Sequence, residues 1–222
     1  MIDLSKRLEF IASFVDEGML IGDIGSDHGY LPLYLLENDK VDYIYACDNK
    51  KGPYHNLTKA FLNIDKKKYD IALEDGINHL PSRVNTVILT GMGGDLIVNI
   101  LKNNDYLTNV EYLILSPQHN IKGVRKFVTE NGYKIIDEGI VYDEKYYEII
   151  KCQKGEQKLN KAQKYFGPIN LKRKDKVFIN MYQAKILELK KILSIEMISS
   201  SRRKEIEDEI NFILEEVIQN GQ

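Results

Sequence analysis

The hydrophobic positions of this chain follow two different periods. Through the first 150 residues, short apolar runs of strand length are separated by stretches whose apolar residues recur every three or four positions. A short apolar run is typical of a buried strand, and the longer period is typical of an amphipathic helix. The pattern therefore predicts alternating strands and helices, which favours an open and mostly parallel sheet.

Seven runs have the length and composition of strands. In chain order they cover residues 19–25, 42–48, 69–75, 84–91, 111–117, 133–143 and 145–153. We expect a helix at residues 4–15 and further helices between the first five strands. The last two runs follow each other with no room for a helix, so they predict a hairpin that supplies one antiparallel strand.

The alternation stops after about residue 154. Residues 174–194 and 202–219 carry apolar residues at helical spacing on both sides of a polar break, which predicts an antiparallel helical pair. The predicted fold class is therefore α/β, with a seven-stranded, mostly parallel sheet in residues 1–154. A second, α-helical and coiled-coil-like domain follows in residues 155–222.

Composition excludes several classes of protein. A hydrophobic content of 43% with charges of both signs is typical of a globular chain. The two cysteines, Cys47 and Cys152, offer neither a disulfide framework nor metal-ligand spacing, so we expect a reduced, cytoplasmic protein without a metal. Because no apolar stretch approaches the roughly 20 residues of a membrane span, we expect no membrane association.

The net charge of −2 hides an asymmetry along the chain. Residues 1–150 hold 16 basic and 23 acidic side chains, whereas residues 151–222 hold 15 and 10. Nine of the basic residues fall within residues 151–176, with two acidic ones, and we call this segment the basic collar. Such a run is either a solvated surface or a binding surface for a polyanion.

Glycine or acidic residues follow four consecutive predicted strands, and the polar stretch "SPQHN" follows the fifth, at the edge where an open parallel sheet binds its ligand. The first loop, residues 25–29, contains two glycines and one aspartate. Asp48 lies 19 residues beyond Gly29, a spacing at which an acid binds a ribose diol in nucleotide-type folds. A tight turn with a capping aspartate is the alternative for any single strand end.

Charge in the first loop distinguishes two classes of ligand. A dinucleotide would bring its pyrophosphate against this loop, where Asp27 would repel it. S-adenosylmethionine has no phosphate but carries a sulfonium and an ammonium group, so carboxylates favour its binding. We therefore expect S-adenosylmethionine as cofactor. The candidate cofactor-binding residues are Asp23, Gly25, Ser26, Gly29, Asp48, Asn49, Asp75, Gly76, Gly91, Met92 and Gly93.

Six motifs in order carry a resemblance to a known family: "LSKRL", "DIGSDHGYLP", "GPYHNL", "EDG", "TGMGG" and "SPQ". The chain resembles the bacterial tRNA adenine-22 N1-methyltransferases over nearly its whole length. The resemblance implies a Rossmann-like class I methyltransferase fold with a C-terminal helical domain. It also implies S-adenosylmethionine-dependent methylation of N1 of adenine 22 in tRNA, and we expect the protein to act as a monomer.

For this reaction the resemblance suggests a small set of catalytic residues. N1 of neutral adenine has a lone pair and no proton to lose, so alignment matters more than a general base. We expect Asp27, His28 and Tyr30 to line the acceptor side of the site and Arg7 to contact the substrate. A loop histidine, a packed aromatic residue and a surface salt bridge are the ordinary alternatives for His28, Tyr30 and Arg7.

A tRNA substrate also gives the basic collar a role, since a folded RNA is bound largely through its phosphates and its shape. The candidate RNA-binding residues are Lys172, Arg173, Lys174 and Lys176. Three other classes stay open from the residues alone. They are a Rossmann-type nucleotide-dependent oxidoreductase, a methyltransferase acting on another RNA or a small molecule, and a non-catalytic RNA-binding protein.

Overall fold

A computed structural model describes residues 2–102, 104–195 and 197–218. Residues 1, 103, 196 and 219–222 lie outside the described part of the chain. Residue 219, the last of the second predicted C-terminal helix, is among them. The chain divides into two compact units, residues 1–159 and 160–222.

The first unit is built on a seven-stranded sheet. The strands are β1 Ile21–Ile24, β2 Ile44–Asp48, β3 Tyr69–Leu73, β4 Thr86–Thr90, β5 Tyr112–Ser116, β6 Tyr133–Asp143 and β7 Lys145–Lys154. Their order across the sheet is β3-β2-β1-β4-β5-β7-β6. The neighbours among β1 to β5 pair in parallel, and β7 runs antiparallel to both β5 and β6. The predicted mostly parallel sheet with one antiparallel strand is confirmed.

Five helices connect or precede these strands. They are α1 Lys6–Ala12, α2 Tyr30–Glu37, α3 Lys51–Ala60, α4 Gly94–Leu101 and α5 Ile121–Glu130, with short 3-10 turns at Lys66–Lys68 and Asn104–Leu107. The prediction of helices between the first five strands was wrong for one connection, because residues 74–85 between β3 and β4 form turns. Gly76 in this segment has a φ of 75°, and Pro81 disfavours a helix both at its own position and before it.

The order of the strands determines where a ligand can bind. β1 lies between β2 and β4, and all four of its residues are buried, including Asp23. The chain leaves β1 towards β2 and leaves β4 towards β5, in opposite directions across the sheet. The carboxyl ends of β1 and β4 therefore form the switch point at which open α/β sheets bind ligands.

The hairpin of β6 and β7 holds the start of α1 near this switch point. The carboxylate of Asp143, at the end of β6, accepts a hydrogen bond from the backbone N–H of Arg7 at 3.1 Å. A side chain at Gly139 of β6 would come within 2.6 Å of the ring of Phe10, so glycine permits α1 to pack closely on the hairpin. The guanidinium of Arg7 lies 5.0 Å from the centre of the Tyr147 ring.

The second unit is helical, as predicted. It contains α6 Lys161–Phe166, α7 Pro168–Arg173, α8 Lys176–Leu193 and α9 Ser200–Ile213, which continues as a π-helical turn at Leu214–Ile218. Its core includes a cluster of aromatic rings from Tyr165, Phe166, Phe178, Tyr182 and Phe212. Among the described residues no helix of either unit is long and apolar enough to cross a membrane. Coiled-coil packing of α8 and α9 stays a prediction.

Candidate active site at the carboxyl ends of β1 and β4

A cleft of about 560 Å³ opens at the switch point of the sheet. Its volume lies within the range of small-molecule binding sites. All four predicted catalytic residues line it, together with four of the predicted cofactor-binding residues. The lining residues are Asp3, Ser5, Arg7, Leu8, Asp23, Gly25, Ser26, Asp27, His28, Tyr30, Leu31, Thr90, Gly91 and Gln118.

The first loop is tightly coiled. Gly25, Asp27 and Gly29 have positive φ angles of 78°, 50° and 73°. The N–H groups of Gly25 and Ser26 donate to the carbonyl of Cys47 at 2.9 and 3.0 Å, which ties the loop to the end of β2. The N–H of Gly29 donates to the carbonyl of Ser26 at 2.9 Å. Most of the N–H groups of the loop are therefore used inside the protein.

The two glycines of the first loop have different roles. Gly25 is exposed and lines the cleft, and an added Cβ there would lie 3.0 Å from the Cε atom of Met92. Gly29 is buried, and its Cβ would come within 2.7 Å of Leu57 and 3.3 Å of Phe61. Gly29 thus permits the loop to pack on α3, and only Gly25 offers its backbone to a ligand in the cleft.

Asp23 is a buried acid at the carboxyl end of the central strand. It is 4% exposed and lines the cleft. Burial raises the pKa of its carboxyl group to about 6, the nearby charge of Asp48 acts in the same direction, and a hydrogen bond from Ser26 acts in the opposite one. Burial disfavours the ionised form of this carboxyl group, and a nearby positive charge would stabilise that form. The site therefore favours a cationic ligand.

Asp48 ends β2 and is also buried, at 8% exposure. One carboxylate oxygen accepts from the N–H of Lys50 at 2.9 Å, and the other accepts from the N–H of Asp27 at 3.3 Å. These contacts fix its orientation beside the first loop. Asp48 does not itself line the cleft.

The end of β3 lies next to the end of β2. The side-chain amide of Asn49 donates to the carboxylate of Asp75 at 3.2 Å, and both residues are exposed. Behind them, the N–H of Glu74 donates to the carbonyl of Asp48 at 3.0 Å. Glu74 also accepts hydrogen bonds from the hydroxyl of Tyr45 and, at 2.6 Å, from Nδ1 of His79 when that nitrogen is protonated. Gly76 follows directly, and these residues lie outside the cleft.

The loops after β4 and β5 are joined by hydrogen bonds. The backbone N–H of Gln118 donates to the carbonyl of Met92 at 2.9 Å, and its side-chain Nε2 donates to the carbonyl of Gly91 at 2.8 Å. A Cβ on Gly93 would lie 2.3 Å from the imidazole of His119, so the glycines of "TGMGG" make room for this contact. Gly91 lines the cleft, whereas Met92 and Gly93 do not.

The predicted catalytic residues form one wall of the cleft. The rings of His28 and Tyr30 are stacked, with centroids 5.4 Å apart and an angle of 16° between their planes. Tyr30 is half exposed, so its ring is not a packed core residue. The imidazole of His28 also lies 3.4 Å from the amide of Asn56 and 3.7 Å from the carboxylate of Asp27. Arg7 reaches the same wall from α1.

Several cleft residues were missed from the sequence: Asp3, Ser5, Leu8, Leu31, Thr90 and Gln118. Ser5 caps α1, since its hydroxyl accepts from the N–H of Leu8 at 3.3 Å, and a serine before an apolar helical pattern signals such a cap. Its place in the cleft follows only from the docking of α1 on the β6–β7 hairpin. Gln118 belongs to the motif "SPQ", but it was not among the predicted site residues.

The predicted RNA-binding residues all belong to the second unit. Lys172 and Arg173 lie in the last turn of α7, Lys174 follows with a φ of 45°, and Lys176 begins α8. Lys172, Arg173 and Lys176 are exposed. Across the described parts of both units, no cluster of three or more metal-ligating side chains is present.

Comparison with known proteins places the chain among methyltransferases. A family model described as "Methyltransferase domain" matches residues 4–150. The tRNA (adenine(22)-N(1))-methyltransferase of Bacillus subtilis is 30% identical over 241 residues, which cover 99% of each chain. The solved structure of the B. subtilis m1A22 tRNA methyltransferase TrmK has a TM-score of 0.83, with 28% identity over 98% of this chain and 100% of that one.

Two further solved structures contain the cofactor or its product. Streptococcus pneumoniae Sp1610 in complex with S-adenosyl-L-methionine has a TM-score of 0.89 and 33% identity, covering 97% of this chain and 100% of that one. M. capricolum TrmK in complex with S-adenosyl-homocysteine has a TM-score of 0.85 and 28% identity, covering 96% and 97%.

The burial of Asp23 predicts that its charge destabilises the ligand-free protein. Its pKa is about 6 in the folded state against 3.8 for the unperturbed group, so stability should fall as the pH rises from about 4 to 6. Asp23→Asn removes this charge and should raise the free energy of unfolding by about 3 kcal/mol above pH 7, and much less near pH 4. Urea denaturation across this range measures the difference. The matched control is Asp75→Asn at an exposed carboxylate, and an equal gain at all pH values would contradict the prediction.

Proposed function

The chain belongs to the tRNA (adenine(22)-N(1))-methyltransferase family, and from this premise we propose that it transfers a methyl group from S-adenosylmethionine to N1 of adenine 22 in tRNA. The observation that carries the proposal is the buried carboxylate of Asp23 in a cleft at the switch point of the sheet. An anionic group at this place fits a cationic cofactor.

The hydrogen bonds of the first loop distinguish this cofactor from a dinucleotide. The N–H groups of Gly25, Ser26, Asp27 and Gly29 all donate to acceptors within the protein. A pyrophosphate at this loop would need such N–H groups as donors, and it would face the charges of Asp23 and Asp27. The oxidoreductase alternative is therefore disfavoured by both hydrogen bonding and charge.

The remaining carboxylates fit the polar groups of S-adenosylmethionine. We assign Asp23 to its amino-acid end and sulfonium side, and Asp48, already oriented by two N–H groups, to its ribose hydroxyls. Asp75, held by Asn49, is assigned to the adenine amino group, with the backbone at Gly76 beside the ring. Gly25 lets the backbone approach the ligand, and Ser26, Gly91, Met92 and Gly93 complete the surrounding loops.

The protein's own contribution to the reaction is alignment and charge. When bound, S-adenosylmethionine supplies an electrophilic methyl group on its sulfonium. The lone pair of the adenine N1 needs no general base, so the walls of the cleft have to hold the base in line, which can contribute on the order of 7 kcal/mol. We assign stacking of the base to Tyr30, supported by His28, and contact with the tRNA backbone to Arg7. Asp27 favours the positive charge that develops on the methylated base.

The basic collar supports a tRNA substrate over a small molecule or another class of acceptor. Lys172, Arg173, Lys174 and Lys176 are proposed to bind tRNA phosphates. A tRNA-modifying enzyme with two reduced, buried cysteines is also expected in the cytoplasm, and we propose that it acts as a monomer.

Incubation with labelled S-adenosylmethionine and unmodified tRNA tests the function directly. We expect 1-methyladenosine after nucleoside analysis, and a tRNA with guanine in place of adenine 22 is the matched control that should stay unlabelled. If cofactor-bound protein yielded only N6-methyladenosine or no labelled nucleoside, the proposed reaction would be wrong.

Asp48→Ala tests the position of the cofactor. Loss of the ribose acceptor should weaken S-adenosylmethionine binding by about 1 to 3 kcal/mol, measured by calorimetry. Asp42→Ala, at an exposed aspartate before β2, is the matched control and should bind as the parent protein does. An unchanged affinity in Asp48→Ala would mean that the ribose is bound elsewhere.

Replacement of the four collar residues tests the RNA contact. Changing Lys172, Arg173, Lys174 and Lys176 to Gln should weaken tRNA binding without altering cofactor affinity. Each lost phosphate contact should reduce the logarithmic salt slope by roughly 0.7 to 0.9, because fewer counterions are released. The control removes the same charge from α8 and α9, at Lys185, Lys190, Lys191 and Lys204. Equal slopes in the collar variant and the parent would show that the collar is a solvated surface.

A further inference from the structure

Gln118 places a fixed hydrogen-bond acceptor in the cleft. Its side-chain Nε2 donates to the carbonyl of Gly91 at 2.8 Å, and its backbone N–H donates to the carbonyl of Met92 at 2.9 Å. A carbonyl oxygen can only accept, so the orientation of the carboxamide is determined by this contact. Rotation by 180° would bring Oε1 against the carbonyl of Gly91 and lose the hydrogen bond. With Nε2 turned towards the carbonyl of Gly91, Oε1 is the acceptor that Gln118 offers to a ligand.

The edge of adenine that is methylated requires such an acceptor. N1 must keep its lone pair free for the methyl group, so hydrogen bonds that orient the base have to use its neighbour, the exocyclic amine at C6. This amine is a donor, and a fixed amide oxygen is its complement. Guanine presents an oxygen at C6, so an acceptor placed against the substituent at C6 would repel it.

The position of Gln118 agrees with this role. It lines the cleft together with Asp27 and Tyr30, the residues proposed to act on the acceptor base. Asp27 is a second acceptor there, and its carboxylate lies 3.7 Å from Nε2 of the neighbouring His28. The neutral carboxamide of Gln118 is held by the carbonyl of Gly91, and its backbone by the carbonyl of Met92, so it is better suited to distinguish one base from another.

We propose that Oε1 of Gln118 accepts a hydrogen bond from the exocyclic amine of the target adenine and so selects adenine and orients its N1. This inference rests on the proposed function and adds a specificity-determining residue to it. The hydrogen bond to the carbonyl of Gly91 keeps Nε2 on that side of the carboxamide and so holds Oε1 in place as the acceptor. A base without an amine at C6 would leave Oε1 of Gln118 without a hydrogen-bond donor, and the cost of that unpaired oxygen disfavours such a base.

A chemical double-mutant cycle tests this contact. The tRNA carries either adenine or purine, which lacks the amine, at position 22, and the protein is either the parent or Gln118→Met, which keeps the length of the side chain. Purine N1 is a weaker nucleophile in either protein, so that loss cancels in the cycle. We expect removal of the amine to reduce kcat/KM about five- to tenfold more in the parent than in Gln118→Met.

The same cycle on tRNA affinity, measured without cofactor, gives a readout independent of methyl transfer. Gln183→Met, at an exposed glutamine of α8, is the matched control and should retain the parent's full loss on purine. Equal losses in the parent and Gln118→Met overturn the inference, and Gln118→Ala gives the same comparison if methionine occupies the space of the base. Formation of 1-methyladenosine by the parent on the adenine tRNA separates failure of this inference from failure of the proposed function.

Discussion

A carboxylate buried at the end of the central strand is the feature on which the site depends. β1 is enclosed by β2 and β4, so Asp23 is withdrawn from water at the point where the sheet opens. The resulting rise in its pKa to about 6 means that its charge at neutral pH lacks adequate compensation in the ligand-free protein. A cation bound beside it would supply that compensation. The buried charge of Asp23 therefore lowers the stability of the ligand-free protein and favours binding of a cationic ligand, as is common at functional sites.

The loops around Asp23 are rigid because they bind one another. The first loop uses its N–H groups on Cys47, Asp48 and Ser26, and therefore offers carboxylates to the ligand. The loop after β4 is held through Gln118, which contacts two of its carbonyl groups. On the other side, Asp143 fixes the first turn of α1, which brings Arg7 to the cleft. Such preorganisation is what a reaction that depends on alignment requires.

The strands and the first loop could be predicted because their signals are local. The residues of β1 form a buried run, and the motif "DIGSDHG" begins within its last two residues and continues through the first loop. The absence of a helix between β3 and β4 was harder to predict from the sequence, because it depends on how this short connection packs on β1. A Cβ on Gly22 would meet Leu80 of that connection at 2.8 Å. Both α6 and α7 are six residues long, too short for a clear period, although Asn160 and Gln163 form a capping box.

The candidate site was predicted where one loop contributes several residues and missed where distant segments meet. Gly29 has the sequence pattern of a ligand-binding glycine, but its neighbours are Leu57 and Phe61 of the segment around α3. Asp3 and Gln118 are far apart in sequence and reach the same cleft only through tertiary packing. Neither hydrophobic periodicity nor a local motif indicates that these two residues lie close together, because their proximity depends on the order of the strands in the sheet.

Proton release on cofactor binding shows whether Asp23 is the charge partner of S-adenosylmethionine. S-adenosylmethionine is titrated into the protein at pH 6 in two buffers with different ionisation enthalpies, for the parent and for Asp23→Asn. If Asp23 is the charge partner of the cofactor, binding lowers the pKa of Asp23, and the parent releases about half a proton while the variant releases none. Equal proton release by the two proteins would contradict the account.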